Sequence, residues 1–313
     1  MFRLFYAVIL LLGTIIITFF MTRLLPGDPI RAAMQQGFDI NDEAIIQEVR
    51  AQFGLDRPVH IQFAMWTKDF FTGNWGKSLG SGQKVTDMFM QRVSVTLELF
   101  FLSLCLSWFF GVIFGVVSAL KRNSMLDFTI TGVSVAGLSI PVFWEAIIFI
   151  YVFAVWWQIL PPSGYVPFFE DPIMNLKMVA MPTVVMATHG MAAVARYVRA
   201  SLLEVVNQDY IRTARAKGLR ERAVIISHAF KPAAIPVLTI FGGTFGGILG
   251  GSFIIELMFA IPGLGRMGLD AIFARDFPII QAMAVLGSSC VLIANLITDI
   301  AYGWLDPRVR VYK

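Results

Sequence analysis

Apolar residues fill six stretches of this chain, each long enough to form a helix that crosses a membrane. The stretches are Leu4–Thr22, Leu97–Leu120, Ile140–Leu160, Met178–Ala195, Ile235–Phe259 and Ile279–Ala301. A helix of about twenty apolar residues covers the roughly 30 Å of hydrocarbon in a bilayer. The pattern therefore predicts an all-α integral membrane protein with six transmembrane helices. Because Pro141 breaks or kinks any helix that runs through it, the third span could begin at another residue.

The polar positions divide the chain into three regions. A first transmembrane helix occupies residues 1–24, a long loop follows at 25–96, and a core with five spans occupies 97–313. The letters "RLLPGDP" follow the first apolar run where a signal peptide would have a small-residue cleavage site, so we expect this helix to be retained. Composition excludes an ordinary soluble protein, because 57% of the 313 residues are hydrophobic, 15% are charged and mean hydropathy is +0.71.

Lysine and arginine lie mainly on one side of the predicted spans. That side carries Arg3, Lys121, Arg122, eight cations between Arg196 and Lys231, and Arg308, Arg310 and Lys313. Short loops rich in these residues stay in the cytoplasm, whereas long loops are translocated largely regardless of their charge. We therefore expect both termini in the cytoplasm and the 25–96 loop outside. The net charge of +4 reflects this asymmetry, and no basic stripe with interleaved aromatic residues indicates a nucleic-acid partner.

Two short motifs match enzyme signatures in letters but not in context. "GLGRMG" at 263–268 fits G-x-G-x-x-G, but it falls between the last two spans and not in the βαβ unit that a dinucleotide site requires. "GKSLG" at 76–80 fits G-x-S-x-G, but the later histidines are predicted in a span and on the opposite face. The scattered histidines form no metal-ligand motif, and Cys105 and Cys290 are expected to be small apolar residues within spans. The sequence therefore argues against an enzyme.

The segment "DYIRTARAKGL", from Asp209 to Leu219, is unusually basic for so apolar a chain. On a helix, Ile211, Ala214 and Gly218 fall on one face and the cations spread around the rest. The segment is thus predicted to be a short amphipathic helix on the cytoplasmic side, ending near Gly218. Two interpretations remain from the residues alone: a basic loop that lies on anionic lipid, or a helix that docks on a partner protein.

Six quoted segments resemble one family of membrane proteins. They are "DYIRTARAKGL", "HAFKPAAIPVLT", "LLPGDP", "FGLDRPVHIQF", "IPGLGRMGLDAIFARDFPIIQA" and "LDPRVR". Their order and spacing resemble permeases of the first-permease type from ATP-binding-cassette importers, in the dipeptide, oligopeptide and nickel branch. The general importer pattern is E-A-A, three residues, then Gly. With the glycine at Gly218, Arg212, Thr213 and Ala214 occupy the E-A-A positions, so only the alanine agrees, and this variant is similar to that of the peptide and nickel branch.

The resemblance implies a cytoplasmic coupling helix at about 209–222 that transmits ATPase closure to the membrane helices. Its ATPase-coupling residues would be Tyr210, Ile211, Arg212, Thr213, Ala214, Arg215, Ala216, Lys217, Gly218 and Leu219. The resemblance also implies partners: a second homologous permease, two cytoplasmic ATPase subunits that bind ATP and Mg, and an external solute-binding protein. This chain would hold no cofactor. It would lie in the bacterial cytoplasmic (inner) membrane as a multi-pass protein.

Short peptides are the expected cargo of such an importer. Nickel complexes, glutathione and opine-like solutes remain alternatives, because the motifs concern coupling and architecture and not the cargo. A different class, an ion-coupled secondary transporter, would work without ATPase subunits and often contains internal repeats. A membrane scaffold for a signalling complex is a further alternative.

A double row of glycines marks the fifth predicted span. In "GGTFGGILGGS", Gly242, Gly246 and Gly250 repeat every four residues, and Gly243, Gly247 and Gly251 repeat one position later. Glycines at this spacing allow another membrane helix to approach closely. The row could serve static packing, or it could face a second permease and line the transport pathway.

Two further features bear on transport. Glu145 lies inside a predicted span, where an ionisable residue usually faces a cavity or a polar partner. It is therefore a candidate pathway residue that touches the cargo or a polar neighbour. The 25–96 loop is too long for a simple connection. In the family this region lies where the solute-binding protein docks, and a structural lid is the alternative.

Overall fold

The computed structural model describes residues 2–24, 47, 56–230, 232–234, 237 and 252–305. Nearly all of these residues are helical, and β-structure within them is confined to a bridge between Lys77 and Lys84. The main helices are α1 (Phe2–Leu24), α2 (Val59–Phe71), α3 (Val85–Leu120), α4 (Met125–Ser139), α5 (Val142–Phe149), α6 (Pro172–Val206), α7 (Asp209–Ala216), α8 (Leu264–Ala274) and α9 (Phe277–Leu305). Two π-helical segments, Ile150–Trp156 and Val224–Ala229, continue α5 and a short turn at Glu221–Ala223.

Three helices of the described chain are long and apolar enough to cross a membrane. They are α3, α6 and the Phe277–Thr298 part of α9. The described side chains of α1 add a shorter apolar stretch, Ile9–Thr22. These helices confirm the predicted all-α membrane fold, although α3 begins well before the predicted Leu97. The predicted span at Ile235–Phe259 lies mostly outside the described residues, apart from a helical stretch at 252–258.

Most of the third predicted span, Ile140–Leu160, forms one continuous helix made of α5 and the Ile150–Trp156 segment. The prediction missed the helix before it: α4 precedes this segment, and the two form a pair bent by 106°. The break falls at Ile140, whose backbone is extended, and Pro141. Proline disfavours helical geometry at the preceding residue, and it lacks the N–H that would continue the helix. The apolar run therefore forms a broken span or a re-entrant loop, which lies partly before the predicted start.

The chain forms two compact units. One comprises residues 1–96 and 262–292, and the other comprises 97–261 and 293–313, with α3 and α9 contributing to both. In the first unit, the backbone N–H of Leu264 donates to the Thr96 hydroxyl at 2.8 Å, and Ser78 donates to buried Asp276. The "GLGRMG" letters therefore begin the packed helix α8, as a turn followed by a helix would, and the described residues before it contain no strand.

Close approach of α3 and α6 organises the second unit. A Cβ atom added at Gly115 would lie 2.6 Å from the Ala195 carbonyl oxygen, and one added at Gly111 would lie 2.8 Å from the Val194 Cβ. Both glycines are therefore needed for this crossing. The spacing Gly-x-x-x-Gly is the sequence signal for such an approach.

Candidate functional site

Helix α7 forms the core of the basic segment. It begins at Asp209 and ends at Ala216, so the predicted coupling helix at about 209–222 is too long. The chain turns at Gly218 and resumes a helix at Glu221. Gly218 has φ +77°, a left-handed conformation that suits glycine, and its N–H donates to the Arg215 carbonyl at 2.9 Å. The predicted role of this glycine as a helix terminator is confirmed.

One face of α7 is buried in an apolar cluster. Ile211 is 0% exposed and Ala214 is 8% exposed. They pack in a cluster with residues from the end of α3, the end of α6 and the Val224–Ala229 segment, including Ala119, Val198, Leu202, Val224 and Ile225. Burial of a side chain as large as isoleucine stabilises the packing by roughly 1.5–3 kcal/mol. The short helix thus shares one apolar cluster with the ends of two membrane-length helices and with the Val224–Ala229 segment.

The predicted apolar stripe is correct at two of its three positions. Ile211 and Ala214 are buried as expected, whereas Gly218 is exposed. Gly218 lies beyond the end of α7, where the helical repeat no longer applies, which explains the difference.

The opposite face of α7 is open to solvent. The exposed residues on it and just after it are Tyr210, Arg212, Thr213, Arg215, Ala216, Lys217, Gly218 and Leu219. Arg215 donates two hydrogen bonds to Glu221, at 2.7 and 3.1 Å, across the turn at Gly218. The Arg215 guanidinium holds the pKa of the Glu221 carboxyl below its usual range. This ion pair closes the turn while leaving an exposed surface that is cationic, with Tyr210 and Leu219 at its ends.

A buried ion pair lies next to this cluster. Asp127 of α4 is 2% exposed and accepts two hydrogen bonds from Arg199 of α6. Ser118 of α3 donates a further hydrogen bond to the same carboxylate. Neither residue was predicted as a site residue, because Asp127 precedes the predicted third span and Arg199 lies among the cations between two predicted spans. An acid and a base inside apolar helices were the available signal.

Glu145 lies in the first turn of α5, directly after the break at Pro141. It is 8% exposed and faces His189 of α6, with 3.6 Å between Oε2 and Nδ1. The expectation that Glu145 faces a polar neighbour is met in this respect. Its contact with a cargo stays a prediction.

The glycine row of the fifth predicted span, Gly242, Gly243, Gly246, Gly247, Gly250 and Gly251, lies outside the described residues. Most of the 25–96 loop before Asp56 is also outside them. In the described part of that loop, the Phe70 ring contacts the rings of Trp66 and Trp75, and the rings of Phe63 and Trp66 contact Phe19 of α1. No group of three or more potential metal ligands occurs among the described residues.

Two family descriptions cover nearly the whole chain. Residues 111–311 match "Binding-protein-dependent transport system inner membrane component", and residues 1–100 match the N-terminal component of the same systems. A protein of Brucella abortus named "Putative peptide transport system permease protein" is 39% identical over 305 residues, covering 97% of this chain and 96% of its own. The oligopeptide transport system permease protein AppB of Bacillus subtilis is 38% identical over 312 residues, covering 96% and 95%.

A solved structure shares the fold. A chain of the MetNI methionine ABC transporter, crystallised in inward-facing conformations, superposes with a TM-score of 0.58 over 70% of this chain and 96% of its own. Its sequence identity is 18%, so the likeness concerns the helical architecture. Because the family match covers more than half of the chain and the relatives align along nearly all of it, the chain belongs to the family of inner membrane components of binding-protein-dependent transport systems, the permease subunits of ABC transporters.

Proposed function

We propose that this chain forms half of the translocation pathway in an ATP-driven importer of short peptides. Peptide cargo is supported by the names of the relatives from Brucella abortus and Bacillus subtilis. The family supports partnership with ATPase subunits and a solute-binding protein. We propose the full assembly as this chain, a second homologous permease, two ATPase subunits that bind ATP and Mg, and one external binding protein.

The burial pattern of α7 carries the mechanical part of the proposal. Its apolar face belongs to the cluster that includes the ends of α3 and α6, and its cationic face is exposed. A partner that binds the exposed face can therefore displace α3 and α6 through the apolar cluster that contains Ile211 and Ala214. In this mechanism the ATPase subunits close on ATP, displace α7 and open the pathway outward, and hydrolysis resets it. The permease performs no covalent chemistry.

We place the chain in the bacterial cytoplasmic membrane with both termini in the cytoplasm. The cations of the 209–222 segment then face the ATPase subunits, and the 25–96 region faces the binding protein outside. Gly242, Gly246 and Gly250 would support close packing with the second permease, and Glu145 would lie along the pathway. The distribution of lysine and arginine supports this orientation.

Reconstitution of the complete importer in liposomes tests the proposal. We expect uptake of trialanine that requires ATP, the ATPase subunits and the binding protein together. Uptake by this chain alone, driven by a proton or sodium gradient, would instead establish an ion-coupled transporter. Failure to transport any di- or tripeptide, with transport of a nickel complex or glutathione, would reject the peptide cargo and keep the importer class.

A further inference from the structure

The break in the α4 and α5 pair brings two ionisable side chains face to face. Glu145 Oε2 lies 3.6 Å from His189 Nδ1. Both atoms are buried, and neither has a hydrogen-bond partner. A buried polar atom without a partner destabilises the fold, and more strongly when it is charged. Two such atoms opposite one another therefore require an explanation.

The tautomer of His189 follows from the break itself. In an unbroken helix the N–H of Trp144 would bond to the Ile140 carbonyl, but here it donates to the Pro141 carbonyl at 2.9 Å. The Ile140 carbonyl oxygen lies instead 3.1 Å from His189 Nε2. Because a carbonyl oxygen can only accept, Nε2 must carry a hydrogen. In a neutral ring, Nδ1 is then an acceptor and faces the Glu145 carboxylate, which is also an acceptor.

A single proton removes this conflict. On Nδ1 it converts the ring to imidazolium, which donates to Ile140 through Nε2 and turns a charged N–H toward the Glu145 carboxylate 3.6 Å away. The Nε2–H of the ring is already committed to Ile140, so the added proton lies between Nδ1 and Oε2, and on the ring it gives an ion pair with the carboxylate. We infer that Glu145 and His189 form a proton-binding site that fastens the second half of the broken span to α6.

The other ionisable side chains of the neighbouring helices are exposed or bound to other partners. Glu145 is the ionisable residue of α5, and Tyr151 in the π-helical continuation is 62% exposed. On α6, the ionisable residues besides His189 are Lys177, Arg196, Tyr197, Arg199 and Glu204. Arg199 is bound to Asp127, the acid of α4. Thr188 also contacts the Glu145 carboxylate, but a threonine hydroxyl does not change its charge in this range.

Loss of the proton has a mechanical consequence. A carboxylate would then face a lone pair across 3.6 Å in a buried place, and separation of α5 from α6 would relieve the repulsion. Transport that depends on the position of the broken span would therefore vary with pH. The proton site requires no particular cargo, so the inference does not depend on the proposal that the cargo is a peptide.

Nitrogen-15 NMR of the assembled importer in lipid nanodiscs tests the inference. The chain has three histidines, and subtracting the spectrum of His189→Asn isolates the signals of His189. In the wild type at neutral pH we expect both His189 nitrogens to carry a hydrogen, because only then does the ring present N–H to both facing acceptors. In Glu145→Gln we expect a neutral ring protonated at Nε2. A neutral His189 in the wild type, or an unchanged spectrum in Glu145→Gln, would overturn the inference.

Two further measurements keep the test decisive. Glu98→Gln removes an acid of α3 that is hydrogen-bonded to Tyr165, and it should leave the His189 signals unchanged. The pH profile of ATP-dependent uptake should change at least threefold between pH 6 and pH 9 in the wild type and be flat in Glu145→Gln and His189→Gln. Identical profiles in all three would reject a mechanical role for the proton. If trialanine is not transported, the NMR result still decides the proton site while the peptide proposal fails.

Discussion

Arg199 donates two hydrogen bonds to Asp127, from Nε to Oδ1 at 2.7 Å and from Nη2 to Oδ2 at 2.8 Å. The N–H of Asn123 adds a third donor at 3.0 Å, and Ser118 adds its hydroxyl. One carboxylate thereby joins α3, α4 and α6. Ala119 and Val198, each one residue away from this node along the chain, belong to the cluster that supports α7. The ion pair therefore fixes the base on which the coupling segment rests.

Removal of one partner of this pair should destabilise the chain strongly. Arg199→Gln leaves the buried Asp127 carboxylate without its cation, which costs about 3–5 kcal/mol in buried pairs. Arg196→Gln is the matched control, because Arg196 is exposed on the same helix. Its effect should stay below about 0.5 kcal/mol. Thermal unfolding of both variants in nanodiscs checks this, and equal losses would show that the pair has no special structural role.

The crossing of α3 and α6 should tolerate no side chain at Gly115. Gly115→Ala places a methyl group 2.6 Å from both the Ala195 carbonyl oxygen and the Val198 Cβ. Overpacking of this kind typically costs about 1–3 kcal/mol. Gly132→Ala in α4 meets no atom within 4 Å and should be neutral or stabilising, because alanine favours the helix. Comparison of the melting temperatures of the two variants tests this prediction. A Gly115→Ala protein as stable as Gly132→Ala would contradict the close approach of α3 and α6.

Substitutions at the two alanines of α7 distinguish its packing in the apolar cluster from its docking on the ATPase subunits. Ala214→Glu puts a carboxylate into the apolar cluster, whereas Ala216→Glu puts it on the exposed face. We expect Ala214→Glu to lower the melting temperature of the isolated chain and to abolish stimulation of ATP hydrolysis by the binding protein. Ala216→Glu should leave the melting temperature unchanged and weaken co-purification of the ATPase subunits. If both variants keep full stimulation, α7 does not couple hydrolysis to transport.

The ion pair across the turn after α7 predicts a small dependence of stability on pH. Arg215 lowers the pKa of Glu221 in the folded chain below the ordinary value. The stabilisation is therefore present above the unfolded pKa, near 4.5, and is lost as pH falls through the lower folded value. Because both side chains are substantially exposed, Glu221→Gln should cost at most about 1 kcal/mol at pH 7. Unfolding measured from pH 7 to pH 3 should show the two proteins converge. A difference that grows in acid would have the wrong sign.

The sequence was sufficient for features that depend on local pattern. Apolar length predicted the membrane helices, and helical spacing predicted burial of Ile211 and Ala214. Gly218 was recognised as a helix terminator, since a left-handed residue after a short helix is a local requirement. The family resemblance, which rested on ordered motifs along the chain, was confirmed by the family match over residues 111–311.

Features that depend on distant partners were not predictable in the same way. Asp127 and Arg199 are 72 residues apart, and Glu145 and His189 are 44 apart, so their pairing depends on how α4, α5 and α6 pack. The predicted third span omitted α4, because hydropathy alone does not show that a separate helix precedes the interruption at Pro141. The Gly-x-x-x-Gly motif of α3 was a local signal for close helix approach, but the prediction of glycine packing rested on the longer glycine row of the fifth span.

The turn at Gly218 offers a direct test of whether the shape of the coupling segment matters. Its φ of +77° costs about 1–2 kcal/mol for alanine and less for asparagine, which visits this conformation more readily. An added Cβ meets no atom within 4 Å, so Gly218→Ala changes backbone preference without a clash. Gly80→Ala also meets open space but lies at ordinary φ, and it is the matched control. We expect stimulated ATP hydrolysis to fall in the order wild type, Gly218→Asn, Gly218→Ala, Gly218→Pro, with Gly80→Ala at the wild-type level. Equal stimulation in Gly218→Pro and the wild type would mean that the exposed cations alone, and not the turn that orients them, engage the ATPase subunits.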